Sequence, residues 1–219
     1  MRYQALATDY DGTIATDGRI SENTITALKR WQQSGRKLIL VTGRRLDNLY
    51  SVFPQAKLFD CIVAENGALL SFPQTDKTTL LGSAPPQSLI EALQQHQVEP
   101  LGIGRGIIAT RVPYDNTARE IIEQLGLAWQ ISYNKGAVML LPIGVDKDFG
   151  LSEALKQMNL SPDEVVAVGD GENDLPLLNL CGLAVSVANA LPIVKDGSDW
   201  IMSESRGDGV VELVNRLLS

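Results

Sequence analysis

Short apolar runs, each stopping at a polar cluster, set the rhythm of the N-terminal part of the chain. Tyr3 to Thr8 is rich in apolar residues and halts at Asp9, which predicts a strand. From about Glu22 to Ser34, Ile25, Leu28 and Trp31 fall on one face of a helix. Ser21 suits its N-cap and Gly35 its close. Lys37 to Val41 reads as a buried strand ending at Thr42-Gly43-Arg44, and a short helix follows around Leu46 to Val52. Cys61 to Ala64 is a further buried strand, closed by Glu65-Asn66-Gly67. Strands that alternate with helices in this way predict an α/β fold with a parallel sheet.

The rhythm changes near Thr78. Pro85-Pro86 introduce a helix to about Gln95. Strands are then predicted at Ile107 to Val112, Ala128 to Ser132 and Val138 to Leu141, with a helix over Asn116 to Leu125. This composition predicts a small α+β insert over residues 78–141, set into a core made of residues 1–77 and 142–219. After Gly144 the alternation resumes. A helix is predicted from Phe149 to Met158, a strand from Val165 to Val168 ending at Gly169-Asp170-Gly171, strands at Leu183 to Val187 and Trp200 to Met202, and a last helix from Asp208 to Leu218.

Composition narrows the classes of function. The chain has 219 residues and a formal net charge of −7, a balance that disfavours a nucleic-acid or acidic-membrane partner. No apolar run reaches the ~18 residues that span a bilayer. No basic segment leads into a secretory apolar region, so a cytoplasmic protein is expected. Cys61 and Cys181 lie far apart without metal-ligand spacing, which predicts free thiols in a reducing compartment.

Three of the predicted parallel strands end in Asp9-Tyr10-Asp11-Gly12-Thr13, Thr42-Gly43-Arg44 and Gly169-Asp170-Gly171-Glu172-Asn173-Asp174. Ligands of open α/β sheets bind beyond the carboxyl ends of the strands. Asp9, Asp11, Asp170 and Asp174 are therefore expected in one crevice. Crowded carboxylates raise each other's pKa unless a cation intervenes. Mg²⁺, which takes oxygen ligands and leaves room for a phosphate, answers that need. Asp9 and Asp11 share a face on an extended segment. One can attack phosphorus while the other handles the proton. Thr42 can donate to a phosphate oxygen, Gly43 permits close backbone approach, and Lys147, near the start of a helix, is a natural counter-charge.

These residues, in this order, resemble the four motifs of the haloacid dehalogenase-like hydrolase superfamily, and the likeness runs over essentially the whole chain. The place of the insert, between Thr42 and Lys147, resembles the type IIB cap subgroup. That subgroup includes Cof-type sugar phosphatases, sucrose-phosphate phosphatases and archaeal-type phosphoglycolate phosphatases, and the short insert looks most like the last. The resemblance implies a Rossmann-like core and Mg²⁺-dependent hydrolysis of a small phosphorylated metabolite through an aspartyl-phosphate. Asp9 would be the nucleophile and a metal ligand, and Asp11 the general acid/base with its backbone carbonyl on the metal. Asp170 would ligate Mg²⁺, and Asp174 would ligate or orient it. Thr42, Lys147 and Asn173 would hold the phosphoryl oxygens. Relatives that process other substrates tend to lack the second aspartate, which stands here as Asp11.

Phosphoglycolate is the expected substrate and a sugar phosphate the alternative. A phosphotransferase or mutase, as in the related phosphomannomutases, and a non-catalytic sensor are the competing classes. Within the insert, Arg105, Arg111 and Lys135 are cations that can meet a substrate carboxylate, or simply sit in solvent. Gly102, Gly104 and Gly106 mark a flexible turn. Asn66 either faces the substrate or only shapes a turn.

Overall fold

The computed structural model describes residues 2–219. In chain order the elements are β1 (Ala5–Thr8), α1 (Glu22–Gln33), β2 (Lys37–Val41), α2 (Leu46–Val52), β3 (Cys61–Ala64), β4 (Leu69–Phe72) and β5 (Lys77–Leu80). The middle of the chain gives α3 (Gln87–Gln95), β6 (Gly102–Ile103), β7 (Ile108–Arg111), α4 (Asp115–Gln124), β8 (Trp129–Asn134) and β9 (Ala137–Pro142). The remainder gives α5 (Lys147–Met158), β10 (Val165–Gly169), α6 (Leu175–Leu180), β11 (Leu183–Ser186), α7 (Pro192–Asp196), β12 (Trp200–Ile201) and α8 (Arg206–Leu218).

An eight-stranded sheet runs in the order β12-β11-β10-β1-β2-β3-β4-β5. Its strands are parallel from β12 to β3, and β4 and β5 add an antiparallel hairpin. The central strands are apolar throughout because both faces are covered. Leu6, Leu38, Leu40, Ile62, Val166 and Val168 pack on one side with Leu28 and Trp31 of α1 and Leu213 of α8. Ala7, Ile39, Val41, Val63, Val165 and Ala167 pack on the other with Leu151 and Leu155 of α5. Each leucine, isoleucine or valine among them contributes about 1.5–3 kcal/mol on burial. Ser21 caps α1 by accepting from the Thr24 N–H at 3.2 Å, a contact whose loss costs about 1 kcal/mol.

A second sheet, in the order β6-β7-β9-β8, is antiparallel. Val138 and Leu140 of β9 pack under α3 and α4 with Leu89, Leu93, Ile121 and Trp129. Met139 and Leu141, on the opposite face of the same strand, join Ala68, Ile107 and Val145 between the two sheets. The expected boundary at residue 78 falls inside β5, which pairs with β4 as an edge of the larger sheet. The alternation signal misses this hairpin because Ser71, Thr78 and Thr79 interrupt its apolar positions. Polar residues are what an exposed edge strand tolerates.

Candidate active site

Asp9 follows the last residue of β1, Thr42 the last of β2, and Asp170 the last of β10. These three strands are neighbours at the centre of the larger sheet, so residues remote in sequence meet beyond one edge. Lys147 arrives from the other direction, as the first residue of α5. Its helix begins two positions earlier than periodicity suggests, because Asp146 caps it through the Phe149 N–H at 2.9 Å. The approach of α5 is set by glycines. A side chain on Gly67, where φ is +104°, would collide with the Asp146 backbone. One on Gly150 would meet Gly67 Cα at 2.5 Å.

The Lys147 side chain is 0% exposed and lies between two carboxylates. Its Nζ donates to Asp9 Oδ1 at 2.5 Å and to Asp174 Oδ1 at 2.6 Å. Burial would push its pKa down, but the charges of Asp174 and Asp9 reverse this and hold the ammonium protonated. Asp174 Oδ2 accepts the backbone N–H groups of Asp170 and Gly171, each at 2.9 Å, and so shapes the loop after β10. Asp9 Oδ2 is buried without a hydrogen-bond partner. Burial first, and the charge of Asp174 next, raise the Asp9 pKa to about 7 against the opposing pull of Lys147. Burial also raises Asp170, opposed by the Lys135 hydrogen bond.

Asp9, Asp170 and Asp174 bring carboxylate oxygens within 4.8 Å of one another. An all-oxygen donor set of three buried carboxylates, with burial raising Asp9 and Asp170, fits a hard divalent cation. The side chain of Asp11 stands apart from this group, contrary to the expectation of four converging carboxylates. Its two oxygens accept from Arg44 Nε at 2.6 Å and Nη2 at 2.7 Å. This bidentate pairing outweighs the same-face alternation expected after β1. The guanidinium also lies 5.3 Å from the Tyr10 ring centroid.

Thr42 is buried, and its Oγ1 accepts the Arg44 N–H at 3.1 Å. Beside it, Gly43 has Met139 Sδ of the smaller sheet 3.2 Å from where a Cβ would stand. Asn173 is buried and donates through Nδ2 to Asn66 Oδ1 at 2.9 Å, leaving Asn66 Nδ2 and Asn173 Oδ1 unpartnered. Asn66 is therefore tied to the loop that carries Asp170 and Asp174. Its backbone N–H is fastened to the Thr42 carbonyl at 2.9 Å.

Three further residues carry the geometry without having been assigned a part in it. Arg44 holds Asp11, and its only sequence signal is its place after Thr42-Gly43. Asn189, in the loop after β11, donates to the Gly12 carbonyl at 2.8 Å and to Asp170 Oδ2 at 3.1 Å, tying two strand ends together. No periodicity or motif marks it. Glu65 is 2% exposed and accepts the backbone N–H groups of Arg105 at 3.1 Å and Gly106 at 2.7 Å, which fixes the turn before β7 to the larger sheet. The glycines of that turn thus serve close packing. Lys135, at the β8–β9 turn, reaches Asp170. Arg105 instead donates to Thr78 Oγ1 at 3.0 Å.

A family model for haloacid dehalogenase-like hydrolases matches residues 6–104 and 107–214. The chain belongs to this family. Among curated relatives of the hydrolase, the phosphoglycolate phosphatase of Methanothermobacter thermautotrophicus is 30% identical, over 98% of this chain and 99% of that protein. The phosphoglycolate phosphatase of Methanopyrus kandleri is 31% identical, over 96% of this chain and 95% of that protein. The same fold occurs in a haloacid dehalogenase-like hydrolase from Bacteroides thetaiotaomicron, with a TM-score of 0.81 at 21% identity, over 98% of this chain and 99% of that one. A Thermoplasma acidophilum protein gives a TM-score of 0.83 at 20% identity, over 100% and 99%. Among the described residues of the hydrolase, no helix is long and apolar enough to cross a membrane.

Proposed function

We propose that this hydrolase is a Mg²⁺-dependent phosphatase that transfers the phosphoryl group of a small metabolite to Asp9 and then to water, with phosphoglycolate as its substrate. One observation carries the proposal. Lys147 fixes Oδ1 of the Asp9 carboxylate, while Oδ2 is buried and has no partner. A carboxylate so held has one oxygen oriented for a single direction of attack.

Asp9, Asp170 and Asp174 would hold Mg²⁺, with the Asp11 carbonyl as a further ligand. When bound, the ion offsets the charge of the phosphoryl oxygens and of the crowded carboxylates. Lys147 and the Thr42 hydroxyl, with Asn173 and the backbone at Gly43, orient the phosphoryl group. The free Asp9 oxygen forms a bond to phosphorus as the bond to the leaving oxygen breaks. Asp11, released from Arg44, gives that oxygen its proton. It then takes a proton from the water that attacks the aspartyl-phosphate and regenerates Asp9. Burial of Asp9, which is 3% exposed, limits access to bulk water.

The 30–31% identical relatives named phosphoglycolate phosphatase support the choice of substrate. The two unpaired cysteines, whose thiols burial pushes up to about 12, suit a reducing cytoplasm. A panel of phosphate monoesters, assayed for inorganic phosphate with Mg²⁺ and with chelator, tests the proposal. Phosphoglycolate is expected to lead the panel, and chelator to abolish turnover. Asp9→Asn should lose at least about 10³-fold of activity while keeping its circular dichroism spectrum. Turnover that survives chelation or the Asp9 substitution overturns the mechanism. A sugar phosphate at the head of the panel overturns only the substrate.

A further inference from the structure

The smaller sheet touches the loop that begins at Asp170 through one charged side chain. Lys135 and Gly136 form the two-residue turn between β8 and β9, with φ of 48° and 87°. Positive φ at both positions is the geometry of a tight type I′ hairpin, so the lysine backbone is rigidly presented. Its N–H donates to Glu172 Oε2 at 3.3 Å, and its Nζ donates to Asp170 Oδ2. A Cβ on Gly171 would collide with the neighbouring Asn134 side chain, so the hairpin tip lies directly on this loop. The Lys135 side chain is 39% exposed and Asp170 is 1% exposed. A flexible, half-exposed cation therefore neutralises a fully buried carboxylate that belongs to the metal-ligating group.

A divalent ion on Asp170 competes for the same carboxylate and repels the ammonium at short range. The backbone of the turn is bonded to Glu172, so the side chain is the part that can leave Asp170 most readily. We infer that Lys135 serves two anions in turn: it covers Asp170 before the divalent ion binds, and afterwards grips an anionic group on the substrate's leaving end. The inference rests on the phosphatase mechanism proposed above. It assigns Lys135 as the residue that selects substrates whose leaving group carries a carboxylate over neutral ones.

The test has two arms, applied to wild type, Lys135→Met and Lys135→Arg. The first is Mn²⁺ binding to the substrate-free protein, followed by calorimetry or electron paramagnetic resonance. Removing the competing ammonium should tighten Mn²⁺ binding by about threefold or more, while the arginine variant stays near wild type. The second is kcat/KM for phosphoglycolate against ethyl phosphate, which has the same skeleton without the carboxylate. The selectivity ratio should fall by about 10–100-fold in the methionine variant, the worth of one charged hydrogen bond, and return in large part with arginine. Unchanged Mn²⁺ affinity, or equal losses on both substrates, overturns the inference. The Mn²⁺ arm needs no turnover, so it stands even if the phosphatase mechanism fails. Wild-type release of phosphate from either ester checks that mechanism separately.

Discussion

Two lysines neutralise the acidic cluster, and they do so in opposite ways. Lys147 comes from the first turn of a core helix, is wholly buried, and is shared by Asp9 and Asp174. Lys135 comes from a hairpin tip, keeps 39% of its side chain in solvent, and serves Asp170. The first cannot leave without stranding two carboxylates in the interior. The second returns its ammonium to solvent and leaves Asp170 still accepting hydrogen bonds from Thr13 and Asn189. Charge neutralisation in one pocket is thus divided between a fixed part, built into the larger sheet, and an exchangeable part carried by the smaller one.

Stability in chelator tests this contrast most directly. Lys147→Met should cost about 3–5 kcal/mol, because a buried pair loses one partner, whereas Lys135→Met should stay within about 1 kcal/mol of wild type. Urea unfolding of both proteins measures the difference, and equal losses would erase the distinction between fixed and exchangeable. The smaller sheet also has a fixed contact of its own, at Glu65. Glu65→Ala leaves the Arg105 and Gly106 N–H groups without their acceptor and should cost about 2–3 kcal/mol. Glu65→Gln, with a single acceptor oxygen, should fall between. Hydrogen exchange at those two amides should quicken in the alanine variant; unaltered exchange would show that the contact does not hold the turn.

The smallest effect concerns pH. The Asp9 pKa lies near 7 in the folded, metal-free protein against an ordinary value of 3.8. Between those values the folded state binds more protons than the unfolded state, so this group's contribution to stability falls as pH rises. Asp9→Asn lacks that loss. In chelator, the melting temperature of the variant relative to wild type should climb from pH 4 to about 7 and level off above. A gap that stays flat would mean that Lys147 alone satisfies Asp9.

The central strands were legible because burial on both faces leaves uninterrupted apolar runs, and strand ends in such sheets are where ligands bind. Asp9, Thr42 and Asp170 were placed by that logic. The β4–β5 hairpin was not legible, since an exposed edge admits the polar residues that usually mark loops. The Asp11–Arg44 pair was missed for another reason: alternation along a strand cannot foresee a guanidinium arriving from the next strand's end. Asn189 had no signal at all, being one amide in a loop, yet it links Gly12 to Asp170. Pattern reveals what is repeated, and the Asp11–Arg44 and Asn189 links are local contacts that no repeat announces.

The contact between Gly67 and Gly150 gives the two halves of the core no tolerance for drift. Even one added methyl would wedge α5 outward and carry the Lys147 ammonium away from Asp9. The spacing between the Asp9 carboxylate and the Lys147 ammonium is thus governed by two positions with no side chain, neither of which touches either group. Sequence variation in the smaller sheet can proceed freely only while that bare contact is kept.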